Sequence, residues 1–344
     1  MKKNPTIADV ARKARVSIAT ASRVVNNSDH PVSETTRRRV LKVVAEMGFA
    51  PSEVARALAT RQTCMVGVIV GDTNDPYFSA IVRGIEDVAR ENGYIVIVCN
   101  SDRIPDVELT YVRTLLNYRV RGLIFAGGGL TDENYLSAMR ALVAETQRRN
   151  VGVVALSEHL FPAHEVTIDN RTTTRDGTSY LIQCGHRRIG MLSGPAGLNT
   201  TRLRTEGYRQ AIESAGIQFD PALVIPGDFR FQGGIRAIEQ LFAINPFPTA
   251  IMASNDEMAI GAMVALKQRG LRIPADISLV GLDDILSTQY VDPPLTTVRI
   301  PLYEMGATGM RQLLRLLDGE EIEPVLWLKH TLIERQSVNR INSR

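Results

Sequence analysis

Side chains suited to gripping a long polyanion stand close together near the start of the chain. Between Thr6 and Asn26 the sequence reads TIADVARKARVSIATASRVVN, with Ser17, Thr20, Ser22 and Arg23 inside one short stretch. A guanidinium flanked by hydroxyls can meet phosphate oxygens and the edges of bases. Charge is distributed to match. Residues 1–62 hold 12 Lys or Arg against 5 Asp or Glu, while the other 282 residues hold 28 against 32. Positive charge gathered at one end suits a phosphate-binding module, because each cation that meets a phosphate releases condensed counterions. A solvated basic face on a helical bundle would give the same count, so the elements carrying these residues decide between the two.

Other chemistry-bearing residues form no catalytic pattern. Gly127-Gly128-Gly129 follows an apolar run but lacks the further spaced glycine and the downstream acid of a dinucleotide loop, and reads as a plain loop. His159, His164 and His186 fall in separate elements without metal-ligand spacing, which points to structural or surface roles. Asp283-Asp284 could serve acid-base chemistry, but adjacent side chains at a strand end point apart. Cys64, Cys99 and Cys184 have neither the even number nor the spacing of a disulfide framework, and each reads as a small buried hydrophobe. The expectation is a protein that is not an enzyme, with no cofactor and no metal.

The elements under the first residues are legible from local chemistry. Thr6 can cap a helix with Asp9 completing a box, and Ile7, Val10, Ala11 and Ala14 share one face. Ser17 caps a second helix that turns Ala21, Val24 and Val25 inward and leaves Ile18, Ala19, Ser22 and Arg23 outside. A link as short as Arg15 to Ser17 makes the helices cross steeply, which is helix-turn-helix spacing. A third helix starts at Ser33, buries Val40, Leu41, Val44 and Met47, and ends at Gly48. From Met65 onward, strand-length apolar runs (66–70, 95–99, 123–126, 151–156, 189–193, 250–253 and 277–282) alternate with helix-length segments, implying βα winding with mostly parallel sheets. So many elements exceed one sheet, and 344 residues suggest two or three domains. No apolar run approaches a membrane span, and the N-terminal residues lack the core of a secretion signal, so a cytoplasmic protein is expected.

Motifs in a fixed order then name a family. VS-x-x-T-x-SRV-x-N in the head is followed by P-S-x-V-A-R-x-L at 51–58, NDPYFS and RGIE at 74–86, IDN at 168 and GHRRI at 185. RLRTEGY at 202, GDF at 227, NDEMAIGA at 255, LVGLDD at 279 and PPLTTV at 293 complete the series. The chain resembles the LacI/GalR family of bacterial transcription regulators nearly end to end. That resemblance implies an N-terminal all-α helix-turn-helix head (1–50), a hinge helix and linker (51–63), and an α/β periplasmic-binding-protein-like domain (64–344). The last has two lobes with parallel sheets, about 64–168 with 301–330 and about 169–300 with 331–344, joined by crossovers near 168, 300 and 330 around a ligand cleft.

The resemblance also implies roles. Ile18 and Ala19 occupy the positions that reach base edges in relatives, and the expectation is that they pack on thymine methyls or exclude bulk while Arg23 makes a bidentate contact to guanine. Thr6, Ser17, Thr20, Ser22, Asn26 and Arg56 are expected to complete the DNA surface, with Thr20 and Ser22 on phosphates. The segment 52–59 is too short for a stable isolated helix, and Leu58 matches a leucine that wedges between base pairs. In the cleft, Tyr77 and Phe78 match the aromatic edge of the first lobe, and Asp169, Arg204, Phe229, Asn255 and Asp283 match the second lobe's polar and stacking groups. Many relatives carry an acid after the fourth strand, where Ser157 stands here with Glu158 next. The implied partners are a pseudo-palindromic double-stranded operator, a sugar, sugar-derivative or nucleoside effector, and a second copy of the chain; no leucine heptad follows Arg335, which favours a dimer. The implied function is a homodimeric, ligand-controlled repressor, the alternative being an activator or a co-repressor-dependent regulator with a purine-type ligand.

Overall fold

The computed structural model describes residues 5–25, 30–49 and 63–341. It divides into two compact units, Met1–Thr63 and Cys64–Arg344.

The first unit holds three helices, α1 (Ile7–Ala14), α2 (Ile18–Val25) and α3 (Glu34–Met47). The capping box forms: Thr6 Oγ1 accepts the Asp9 N–H at 3.3 Å and the Asp9 carboxylate accepts the Thr6 N–H at 2.9 Å. Arg15 adopts the left-handed conformation, φ 55°, and the Val16 N–H reaches back to the Ala11 carbonyl, turning the chain directly into α2. Ser33 caps α3 and Gly48, φ 58°, ends it. Val10, Ala14, Val24, Val40 and Val43 make the core. One inward assignment is corrected. Leu41 is exposed and Val43 is buried in its place, because at 100° per residue Val40, Val43, Val44 and Met47 share a stripe from which Leu41 is rotated away.

The second unit is wound twice in the same way. Its first part runs β1 (Met65–Val70), α4 (Pro76–Glu91), β2 (Ile95–Asn100), α5 (Pro105–Asn117), β3 (Gly122–Ala126), α6 (Glu133–Arg148), β4 (Gly152–Ala155) and β5 (His164–Ile168). The second runs α7 (Asn170–Gln183), β6 (Ile189–Ser193), α8 (Asn199–Ser214), β7 (Val224–Pro226), α9 (Phe231–Leu241), β8 (Ala250–Ala253), α10 (Asp256–Gln268), β9 (Ser278–Asp283) and β10 (Thr296–Arg299). Then come α11 (Leu302–Leu317), β11 (Val325–Leu328) and β12 (Thr331–Ile333). The sheets have orders β11-β5-β4-β3-β1-β2 and β12-β10-β9-β8-β6-β7, the same permutation. Pairing is parallel except where β12 runs against β10. The chain therefore passes between sheets after β5, after β10 and between β11 and β12.

Each expected strand is present, within a residue or two at its ends. The added ones, β5, β7, β10, β11 and β12, have three to five residues; β5 and β10, HEVTI and TTVR, are of mixed polarity, while β7 and β11, VIP and VLWL, are apolar but short. Apolar runs alone do not mark such strands; neighbours on the sheet do. Helix α11 returns to pack on α4 at Gly84 and Gly306, where an added Cβ would lie 2.1 Å from the Tyr303 carbonyl and 2.0 Å from that of Ile81. Cys184 is buried as expected, but Cys64 and Cys99 are only half-buried, at or near the exposed edge strand β2.

Candidate functional site

In the head, α2 presents the side chains expected of a reading helix. Ala21 and Val24 are buried, whereas Ile18 is 56 % exposed and Ala19 and Arg23 are open to solvent. The helix start is held by the Thr20 N–H donating to Ser17 Oγ at 3.0 Å, with the two hydroxyls 2.8 Å apart. The hydroxyls of Thr6 and Ser17 thus already work as caps, which fixes the ends of α1 and α2. Thr20 and Ser22 are half-buried at the flank of the exposed face. Asn26, Arg56 and Leu58, with the expected hinge helix, lie outside the described residues.

The second unit has a cleft of about 510 Å³, open mouth included, at the carboxyl ends of strands from both sheets. Ligands bind there in open α/β architectures. The first lobe supplies Tyr77 and Phe78 from the start of α4, in edge-to-face contact with ring centroids 5.0 Å apart. The second supplies Arg204, Phe229, Asn255 and Asp283. Arg204 is buried; its Nε donates to Asn170 Oδ1 at 2.9 Å and Nη1 to the Ser254 carbonyl at 2.6 Å, and its guanidinium lies 5.8 Å from the Phe229 ring centre. Asn255 caps α10 through the Met258 N–H and donates Nδ2 to the Phe229 carbonyl at 2.8 Å. Its amide therefore holds Phe229 in place.

Asp283 is the focus of the site. It is 3 % exposed, and its Oδ1 finds no hydrogen-bond partner among the described residues. Burial pushes its carboxyl well above the usual range; Arg204 opposes this only in part, and the charge of Asp256 adds to it. A buried carboxyl with an unpaired oxygen is costly unless something donates to it. Backbone strain gathers at the same place. Asp283, Phe229 and Arg103 all have positive φ, at 121°, 64° and 60°, and non-glycine residues in such conformations cluster at functional sites.

One expected ligand group is corrected. Asp169 does not line the cleft: its carboxylate caps α7, accepting the N–H groups of Arg171 and Thr172 at 2.9 and 3.1 Å, and the next residue, Asn170, faces the cavity. Here the acid is committed to the first turn of the helix. Ser157 does line the cleft, with its hydroxyl donating to the Gly127 carbonyl, while Glu158 is outside it. Unanticipated lining residues include Asp75, Arg103, Gly128 and Thr200. Arg103 spans the two lobes' rings, 5.7 Å from the centres of both Phe78 and Phe229. No local pattern in the sequence marks it, since the second of those rings belongs to the opposite lobe.

The lobes touch beside the cleft. Leu130 and Leu198 form an antiparallel bridge, flanked by Thr131 N–H to Gly197 carbonyl at 2.9 Å and Asn199 N–H to Gly129 carbonyl at 2.8 Å. Gly127-Gly128-Gly129 is more than a plain loop here, since a Cβ on Gly128 would stand 2.7 Å from Thr200 Oγ1 of the opposite lobe. Arg230 adds a latch at the rim, 2.9 Å from Asp72 and 3.5 Å from Asp102. The three histidines take structural places. His159 packs between Phe125 and Phe161, with burial lowering its ring to about 4, His186 bonds Thr249 and the Asn339 carbonyl, and His164 faces the Glu323 carbonyl.

Residues 6–52 match the model for bacterial regulatory proteins of the lacI family, and residues 178–338 match a periplasmic binding protein-like domain. The HTH-type transcriptional repressor CytR of Escherichia coli (strain K12) is 36 % identical over 320 residues, 92 % of this chain and 91 % of that protein. The chain belongs to the lacI family. Catabolite control protein A of Priestia megaterium is also 36 % identical, across 97 % of this chain and 99 % of its own. Among solved lacI-family structures, the lac repressor dimer bound to operator and the anti-inducer ONPF superposes with a TM-score of 0.87 at 33 % identity, covering 98 % of this chain and 100 % of that one. These relatives are regulators rather than enzymes. Among the described residues, no helix is long and apolar enough to cross a membrane.

Proposed function

We propose that this lacI-family protein is a cytoplasmic, homodimeric repressor whose affinity for a pseudo-palindromic operator is set by a small molecule held between the lobes of the second unit. The observation that carries the sensing half is the buried Asp283 carboxyl, whose Oδ1 has no partner among the described residues, lining an interlobe cleft with the Tyr77 and Phe78 rings. A polyhydroxylated ligand, a sugar or nucleoside, would donate to Asp283, accept from Arg204 and lay a ring face on Phe78 or Phe229. Tyr77 and Asn255 complete the wall and its support. Residues 1–50 act as the DNA head, 51–63 as the hinge and 64–344 as the sensor.

In the head, Arg23 reads a guanine, Ile18 and Ala19 meet thymine methyls, and Thr20 and Ser22 hold phosphates, with Thr6, Ser17, Asn26 and Arg56 around them; Leu58 wedges the minor groove. Two experiments test the proposal. A thermal-shift screen against sugars, sugar phosphates, nucleosides and purines should give a hit, since a ligand at 100 times its dissociation constant adds about 2.7 kcal/mol. A hit that persists unchanged in Arg204→Ala would place the ligand elsewhere. Selection from random DNA should yield a palindrome whose guanine preference is lost in Arg23→Ala, at a cost of about 1–3 kcal/mol for that base pair. An unchanged preferred sequence would remove Arg23 from the reading set.

A further inference from the structure

Asp283 and Asp284 are neighbours with opposite surroundings. Asp283 turns into the cleft with Oδ1 unpaired. Asp284 lies nearer the surface, with its side chain 3 % exposed, and is saturated with donors: Oδ2 accepts from Arg299 Nε at 2.7 Å, and Oδ1 accepts from Arg335 Nη2 at 2.6 Å and Thr288 Oγ1 at 3.1 Å. Burial would raise its carboxyl, yet the bonds and charges of Arg335 and Arg299 outweigh that and hold it below the usual range.

The two arginines stand at particular places in the chain. Arg299 ends β10, and the next residues lead out of this lobe to α11; the Ile300 N–H donates to the Asp283 carbonyl at 3.3 Å. Arg335 follows β12, the strand made when the chain comes back, and is tied down again by Nη1 donating to the Leu295 carbonyl at 2.8 Å. Under the pair, Asp256 accepts the Ile285 N–H at 3.0 Å and the Thr297 hydroxyl at 2.6 Å. Both aspartates have positive φ, 121° and 60°, so the turn has little conformational slack.

We propose that Asp284 is the positioning residue that locks the ligand-facing Asp283 to two of the three interlobe crossovers, so that a ligand's pull on Asp283 is delivered to the segments about which the lobes move. A donor engaging Asp283 Oδ1 favours one setting of the 283–284 turn. With the Asp284 carboxylate pinned between two cations, that preference passes to Arg299 and Arg335 rather than being absorbed locally. A ligand shifts lobes only through such differential interaction with their two arrangements. The proposal rests on the cleft being the ligand site, but the lock itself exists without ligand.

The test uses the full-length protein in two arms. In the first, amide hydrogen exchange is followed without ligand in wild type, Asp284→Asn and Asp284→Glu. Peptides spanning 299–302 and 329–337, the second of which runs from the last crossover to Arg335, should exchange about tenfold or more faster in Asp284→Asn while β6 and β8 keep wild-type rates, with Asp284→Glu in between. Wild-type rates at both crossovers would overturn the lock. In the second, D-ribose, D-glucose, D-galactose and the common ribonucleosides are titrated, and operator DNA obtained by selection is bound with and without each ligand that binds. Asp284→Asn should keep ligand affinity within about threefold, while the ligand's effect on operator affinity, about 5- to 150-fold in such systems, falls toward one. Loss of ligand affinity in step with Asp283→Asn would make Asp284 a pocket residue and overturn the proposal. Silence of the whole panel on wild type counts against the ligand-site reading alone, since the exchange arm still decides the lock. Should Asp284→Asn not fold, Arg299→Gln and Arg335→Gln each break one tie and must each loosen their own crossover.

Discussion

The two lobes share one strand order, yet the ends of their equivalent fourth strands, β4 and β9, are built for different work. After β4 the cleft meets Ser157, whose hydroxyl is already committed to the Gly127 carbonyl. After β9 it meets Asp283, whose Oδ1 is committed to nothing among the described residues. The same asymmetry runs through the site. The first lobe offers the Tyr77 and Phe78 rings and a cation, Arg103, that rests on rings of both lobes, whereas the second offers a buried guanidinium held at 2.9 and 2.6 Å by its own lobe. Rings tolerate a shifting partner; a fixed donor and a buried carboxyl do not. On the proposed function, this makes the second lobe the one that selects the ligand and the first the one that covers it.

The largest expected effect lies in the selecting lobe. Arg204→Ala removes a ligand donor and also leaves Asn170 Oδ1 and the Ser254 carbonyl without their partner, at about 1–3 kcal/mol for each buried group. Thermal denaturation should show that loss, and titration with a bound ligand should show affinity falling by a further factor of about 30 or more. Ser157→Ala, at the matching strand end of the first lobe, should cost about 1 kcal/mol of stability and change ligand affinity within about threefold. Equal losses of affinity from the two variants would abolish the distinction between lobes.

How much of this could be read beforehand follows from where the determining interactions lie. Caps at Thr6, Ser17, Ser33 and Gly48 are chemistry within four residues, so the head was legible almost to its side chains; Leu41 failed because the choice between adjacent stripes of a short helix is made by the neighbours. In the second unit, buried strands announce themselves by apolar runs, while β10, TTVR, is a strand because β9 and β12 flank it. The cleft residues Arg204 and Asp283 came from the family resemblance. Asp169 was misplaced by one residue because a helix start needs a cap whether or not a ligand is near. Arg103 and the glycines at 127–129 gain their roles only from the opposite lobe, which no local pattern encodes.

The next effect is a pH dependence confined to the second lobe. Asp256 is completely buried, and burial raises its carboxyl to about 7 in spite of the bonds from Thr297, Ile285 and Asp284. An unfolded Asp releases its proton near 3.8. Below that value folded and unfolded chains are both protonated and the protonated fold's stability is fully present; as pH rises from about 4 to about 7 the unfolded chain alone loses its proton, and stability falls. Above about 7 both are ionised and the curve flattens. Denaturant unfolding at pH 5 and pH 8 should therefore show a drop that Asp256→Asn reduces, the buried Asp283 carboxyl supplying the remainder, and a drop left unchanged by the substitution would remove Asp256 from it. Loosening of the 283–285 turn in the same variant would tie this buried acid to the selecting lobe's geometry.

The smallest effect belongs to the covering function. Arg230 of the second lobe meets Asp72 and Asp102 of the first, but its side chain is 55 % exposed, and surface ion pairs contribute about 0–1 kcal/mol. Asp72 is held below the usual carboxylate range, since the Asn74 N–H and Arg230 together outweigh its burial. Arg230→Ala should leave overall stability nearly unchanged and shift only the balance between open and closed lobes, by less than about fivefold. A distance probe across the rim, one label on each lobe, would read that shift directly, and raising salt in wild type should mimic it because exposed charges are screened. The backbone bridge at Leu130 and Leu198 carries no charge and should be indifferent to salt, so a salt response as large in Arg230→Ala as in wild type would mean that closure is governed elsewhere than at this latch.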